Sequence, residues 1–176
     1  MADTLQIKNS NIDSNNWVNL NGIVFKPVYG NRVKINPTDG QFSGTAFVIA
    51  EADQTGIENP KFSIRGVINT ADFSTIADIW NANPSTVTST PETGGGTMAN
   101  NVTLGYLINL WKDMTGTTLM KISFGNPDGQ TTWKSYDLQT DEIPIVVESV
   151  NFAPQTAGAA EGNHIIDYTI NCSEVK

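Results

Sequence analysis

Alternating apolar and polar positions along this chain predict strands at Ile23–Tyr29, Arg32–Ile35, Thr45–Ala50 and Phe62–Ile68. The C-terminal third predicts four more, at Thr117–Phe124, Thr131–Leu138, Ile143–Phe152 and His164–Val175. Asn36-Pro37-Thr38-Asp39-Gly40 reads as a turn, with Pro fixing φ and Gly supplying a positive φ. Asn126-Pro127-Asp128-Gly129 reads as a hairpin turn between neighbouring strands. The two turns look alike, but the residues after them do not, so they mark two hairpins rather than a duplicated domain.

The period changes to that of a helix twice in the middle of the chain. Phe73, Ile76, Ala77 and Trp80 fall at i, i+3, i+4 and i+7, with Thr70 or Asp72 available as a cap. Leu104, Leu107, Ile108 and Trp111 repeat the spacing, with Thr103 or Asn101 in front and Gly116 as a stop. Strands, then two helices, then strands predict a mainly β, α+β domain: an antiparallel β-sandwich or barrel with one or two flanking helices. Two stretches fit no element. Residues 1–22 are Asn-rich and read as an N-terminal arm with one short strand near Leu5–Lys8, ahead of a single domain over 23–176. Residues 81–100 are rich in Ser, Thr, Pro and Gly, including Gly94-Gly95-Gly96, and read as a long loop of the functional or disordered kind.

Composition sharpens the β reading. Of 176 residues only 16% are charged, and neutral polar side chains replace the missing charge, with 20 Thr and 19 Asn. Thr suits a pleated, half-buried surface and Asn suits turns. The net charge of −8, with only Arg32 and Arg65 as arginines, argues against gripping nucleic acid through its phosphates. An acidic surface suits proximity to DNA that must slide past it. The N-terminus lacks a basic region followed by an apolar stretch, so no signal peptide is expected. No run of about 18 apolar residues is present, so no membrane span is expected and synthesis in a cytoplasm is.

Catalytic chemistry finds little to work with. His164 is the sole histidine and reads as the first residue of a strand beside a Gly turn. Cys172 alternates with Ile166, Tyr168 and Ile170, so it reads as a small buried side chain on a strand. One His and one Cys argue against zinc, and Asp39 and Asp128 lack the ligand spacing of a calcium loop. Asp141-Glu142 and Glu51 with Asp53 read as solvated charges, not as a glycosidase pair. The expectation is therefore no enzyme, no metal and no cofactor. Two sequons, Asn101-Val102-Thr103 and Asn171-Cys172-Ser173, are what chance supplies in such a composition. Among the tryptophans, Trp80 and Trp111 are expected in the core and Trp17 and Trp133 on freer surfaces.

The order of segments resembles the tail tube proteins of tailed viruses, of bacteria or archaea, which share a fold with the tube protein of type VI secretion. The resemblance rests on a polar N-terminal arm, Lys61-Phe62-Ser63-Ile64-Arg65-Gly66-Val67-Ile68, and Leu104-Gly105-Tyr106-Leu107-Ile108-Asn109-Leu110. It continues through Ile143-Pro144-Ile145-Val146-Val147-Glu148-Ser149-Val150-Asn151-Phe152 to His164-Ile165-Ile166-Asp167-Tyr168-Thr169-Ile170-Asn171. It covers roughly residues 20–175. The resemblance implies a structural virion protein: hexameric rings of identical subunits that stack into a tube and conduct viral DNA without binding it specifically. It implies as partners further copies of the chain and neighbouring tail proteins, in the tail of the virion. Arms and loops that bridge rings would place Trp17, Val18, Leu20, Val87 and Met98 at interfaces. Another virion component, in the baseplate or as a head decoration, and a carbohydrate-binding β-sandwich using Trp17 or Trp133 are the alternatives.

Overall fold

The computed structural model describes residues 4–12, 16–20, 23–42, 45–89, 96–97, 101–126, 129–155 and 164–175. Strands come first: β1 (Thr4–Asn9), β2 (Val18–Leu20), β3 (Val24–Val28), β4 (Asn31–Phe42), β5 (Thr45–Ile57) and β6 (Lys61–Asn69). Then follow α1 (Ile76–Ile79), the two-residue strands β7 (Thr88–Ser89) and β8 (Gly96–Thr97), and α2 (Leu104–Lys112). The chain ends in β9 (Thr118–Asn126), β10 (Gly129–Thr132), β11 (Ile143–Gln155) and β12 (Ile165–Glu174). Eight strands form one antiparallel sheet in the order β2-β1-β9-β11-β12-β6-β3, with β10 also paired on β9. The mainly β, antiparallel expectation holds.

Alternation decides which face is buried. Phe62, Ile64 and Ile68 of β6, Tyr168, Ile170 and Cys172 of β12, and Met120 and Ile122 of β9 all turn inward. Each such side chain contributes about 1.5–3 kcal/mol when fully buried. The sheet curls to close over them. Phe25 on β3 stacks on Phe62 at 5.5 Å and meets Trp133 edge-on at 5.4 Å, and Trp133 in turn meets Phe124 of β9. Strands β3 and β9 are far apart in the sheet order, so these contacts bring its two flanks together.

α2 covers the same core with Leu104, Tyr106, Leu107 and Leu110. Thr103 caps it, its Oγ1 accepting from Tyr106 N at 3.0 Å, and the Tyr106 hydroxyl donates to Ile7 O at 3.4 Å. Its first turn lies against the end of α1. A Cβ on Gly105 would stand 2.1 Å from Trp80 O, so only glycine permits that approach.

Several expectations change. Residues 4–9 and 18–20 are not an arm: β1 sits between β2 and β9, and Leu5, Ile7, Val18 and Leu20 are all buried in the core. Four apolar residues look too few for a core by count, but period-two spacing aims all four at one face. The turn expected at Asn36–Gly40 lies inside β4, where Pro37 pairs with Ala50. Both strands of that pair are edges, so a residue without an N–H is tolerated there. The hairpin expected at 126–129 has Asn126 paired with Gly129; Pro127 and Asp128 lie outside the described residues. The strand expected over 131–138 ends at Thr132.

The first helix is one turn, capped by Thr75 in a capping box with Asp78, and a 3-10 turn over Thr70–Asp72 precedes it. Within the predicted helical stretch Phe73, ahead of the helix, and Ile79 are buried, while Ile76 and Trp80 face solvent. A single turn is too short to sustain the i, i+7 face that the spacing implied. The second helix stops at Lys112, capped by Asp113, and Gly116 lies beyond it. Part of the 81–100 loop is built into the subunit: a 3-10 turn at Pro84–Thr86, Val87 buried in the core, and β7 paired with β8. Residues 90–95 and 98–100 lie outside the described residues.

Candidate assembly surfaces

The first surface is a long ribbon, a two-stranded sheet separate from the main one. β3 continues across Tyr29 and Gly30 into β4, and β5 continues across 58–60 into β6, bridged by Glu58 N donating to Gly30 O at 3.0 Å. Gly56, at φ 152°, lies opposite Arg32 at the bulge that separates this base from the ribbon proper. From there β4 and β5, of 12 and 13 residues, pair only with each other among the described residues. At about 3.4 Å per residue the ribbon is about 40 Å long. Its returning strand carries the apolar run Ala46-Phe47-Val48-Ile49-Ala50. A two-stranded ribbon is marginal in water unless a third strand or another surface covers it.

The outward face of the main sheet is the second surface. Its strands present Ser63, Thr169, Asn171, Ser173 and Ser149, interleaved with exposed Val24, Val28, Val67, Val146 and Ile165. Lys8, Lys26, Lys61, Arg65 and Lys121 lie on this face, with Asp167, Glu148 and the Asp141 that pairs with Lys121 as its carboxylates. Arg65 Nη2 pairs with Asp167 Oδ2 at 2.9 Å, and Gln155 Nε2 donates to the same carboxylate. Lys8 Nζ lies 4.7 Å from the Trp17 ring centroid. A depression of about 380 Å³ opens here, lined by Val28, Lys61, Ser63, Glu148, Ser149 and Asn171.

A third surface follows α2. Trp111 and Met114 stand exposed beside Val146, over a groove of about 630 Å³ floored by Leu110, Ile145 and Val147. The turn after α2 is tied to the N-terminal strand by Asp113. Its carboxylate accepts from Asn9 Nδ2 at 2.9 Å, Asn11 Nδ2 at 3.1 Å, and the Thr115 and Gly116 amides, both at 3.1 Å. Led by the Asn9 bond, these donors hold the Asp113 carboxyl well below its ordinary range. Buried Asn9 also donates to Thr118 Oγ1 and accepts from the amides of Asn11 and Ile12.

The residues expected at interfaces separate. Val18, Leu20 and Val87 belong to the subunit's own core, Trp17 is half-buried beside Lys8, and Met98 lies outside the described residues. The tryptophans exchange roles. Trp133, expected on a freer surface, packs against the core and donates Nε1–H to Tyr29 Oη at 3.0 Å. Trp80 and Trp111, expected inside, are 58% and 52% exposed. Only the short first helix and the narrow buried stripe of the second decide this.

The residues weighed for chemistry do not converge. Cys172 is buried, and burial pushes its thiol up to about 12. His164 joins Thr70 through its backbone, N to Oγ1 at 2.7 Å. Asp141 is held below its ordinary value by Lys121, whose Nζ lies 3.3 Å from Oδ2. Among the described residues no three His, Cys, Asp or Glu side chains are grouped to hold a metal ion. No described helix is long and apolar enough to cross a membrane.

No family model and no curated protein matches the chain. Among solved structures it is similar to a chain in the cryo-EM structure of the anti-feeding prophage (AFP) baseplate, 6-fold symmetrised. The match covers 99% of this chain and 89% of that one, at 11% identity and a TM-score of 0.45. A likeness that distant carries no function across.

Proposed function

We propose that this chain is a non-catalytic building block of a viral tail or tail-like particle, assembling with its own copies into hexameric rings that stack as a tube around passing DNA. The single observation that carries the reading is the β4–β5 ribbon. It reaches about as far as a small domain is wide and has no strand beside it within the described residues. Burial against a neighbouring subunit would supply the cover that a free ribbon lacks. The order of segments that resembles tail tube proteins, the acidic balance of −8 and the hydroxyl-rich sheet face support the same reading.

The test is size and shape in solution. Sedimentation with negative-stain microscopy should show rings or tubes from the intact chain. Replacing residues 32–56 by a two-residue Asn-Gly turn should give a folded monomer whose far-UV β signal falls only by the ribbon's share. Monomers of the intact chain from micromolar to near-millimolar concentration would overturn the proposal.

A further inference from the structure

The charge of this protein is segregated. The outward sheet face carries five of its ten basic residues, Lys8, Lys26, Lys61, Arg65 and Lys121, against three carboxylates, Asp167, Glu148 and the Asp141 that pairs with Lys121. That is a net +2 on a chain of −8, which leaves −10 for everything else. Lys26 lies opposite Ser63, between the positions of Lys61 and Arg65 on the neighbouring strand, so three cations cluster at the β3–β6 flank. Among the described residues no carboxylate lies within ion-pair distance of Lys26 or Lys61.

The same face exposes Val24, Val28, Val67, Val146 and Ile165. A track for phosphates alone gains nothing from five exposed branched apolar side chains. A protein partner gains from both features, because apolar area gives affinity and opposite charge gives orientation and register.

We propose that this sheet face docks the acidic surface of a second copy of the chain. The proposal rests on the self-assembly reading above and deepens it by naming the surface. A +2 face meeting part of a −10 remainder is a head-to-tail contact between different patches, the kind that closes into a ring or runs on as a filament. It also takes the cations out of solvent against the carboxylates that face them.

The test compares the intact chain with the double variant Lys26→Glu/Lys61→Glu by sedimentation, with circular dichroism to check the fold. Both side chains are exposed, so the fold should be unchanged. If the double variant fails to fold, Lys26→Gln/Lys61→Gln takes its place. The concentration for half-assembly should rise by more than about tenfold in the variant. Raising salt from about 0.1 M to about 1 M shortens the screening length from about 10 Å to about 3 Å and should weaken assembly of the intact chain. An intact chain that assembles while the variant assembles equally well would overturn this inference and leave the self-assembly reading standing. Monomers that bind a short DNA duplex through Lys26 and Lys61 would overturn it in favour of a polyanion. An intact chain that never assembles would overturn both.

Discussion

Leu138 has a positive φ of 62° and its side chain is 75% exposed. Left-handed backbone costs an ordinary L-residue about 1–2 kcal/mol, and an exposed leucine recovers little of that by burial. Asn tolerates the conformation, so Leu138→Asn is expected to raise stability by about 0.5–1 kcal/mol, read as a higher denaturant midpoint at unchanged slope. Gly105→Ala should act the other way. Its Cβ would meet the Trp80 carbonyl, which is backbone and cannot swing aside, so a loss of about 1–3 kcal/mol is expected on chemical denaturation. Cys172 gives a third measurement. Its thiol, pushed up to about 12 by burial, should resist alkylation in the native protein and react freely in denaturant. The folded value lies above the unfolded one, so this group's contribution is intact below about pH 8.5 and declines as pH climbs toward 12.

Among the elements, β1 and the turn after α2 depend on one another through Asp113, Asn9 and Asn11. The folded Asp113 value lies below the unfolded one. The stability it contributes is present above about pH 3.9 and is lost as pH falls through the folded value. Asp113→Asn keeps the shape but loses the charged acceptor. It should lower the melting temperature at pH 7 and flatten the decline below pH 4, both visible in a melting series against pH. Because β1 stands inside the sheet, Leu5→Ala should cost about 2–5 kcal/mol, and removing residues 1–9 should unfold the subunit. A truncated chain that melts like the parent would mean that β9 closes the sheet without its neighbour.

At the scale of the molecule, a closed core and an open periphery are separated along one chain. The curled sheet and α2 consume the large inward side chains, whereas the outward valines and the exposed Trp80, Trp111 and Met114 find no cover among the described residues, and the ribbon strands pair only with each other. Folding and assembly should therefore respond to different substitutions. Val28→Ser and Val146→Ser, on the outward face, are expected to leave thermal unfolding of the monomer within about 0.5 kcal/mol of the parent while weakening assembly. Equal losses in both measurements would show that the outward face belongs to the subunit's own stability.

Period-two alternation in Phe62–Ile68, Ile143–Phe152 and Ile166–Cys172 was enough to determine strands, and Thr103 was enough to cap α2. Those signals are local, set by side chains a few residues apart on one backbone. The absence of an arm, the span of the ribbon through Pro37 and the exchange of roles among the tryptophans were decided only in three dimensions. Whether Leu5 and Ile7 are core depends on β9 lying beside them more than 100 residues later. Whether Pro37 turns or extends depends on which strand is an edge. Trp111 faces solvent because Leu107 and Leu110 already fill the stripe that α2 offers the sheet. The segregation of cations onto one face was likewise hidden, since Lys26 and Lys61 become neighbours only through the β3–β6 register. Distant pairing carries no trace in local spacing, and the candidate surfaces are made of it.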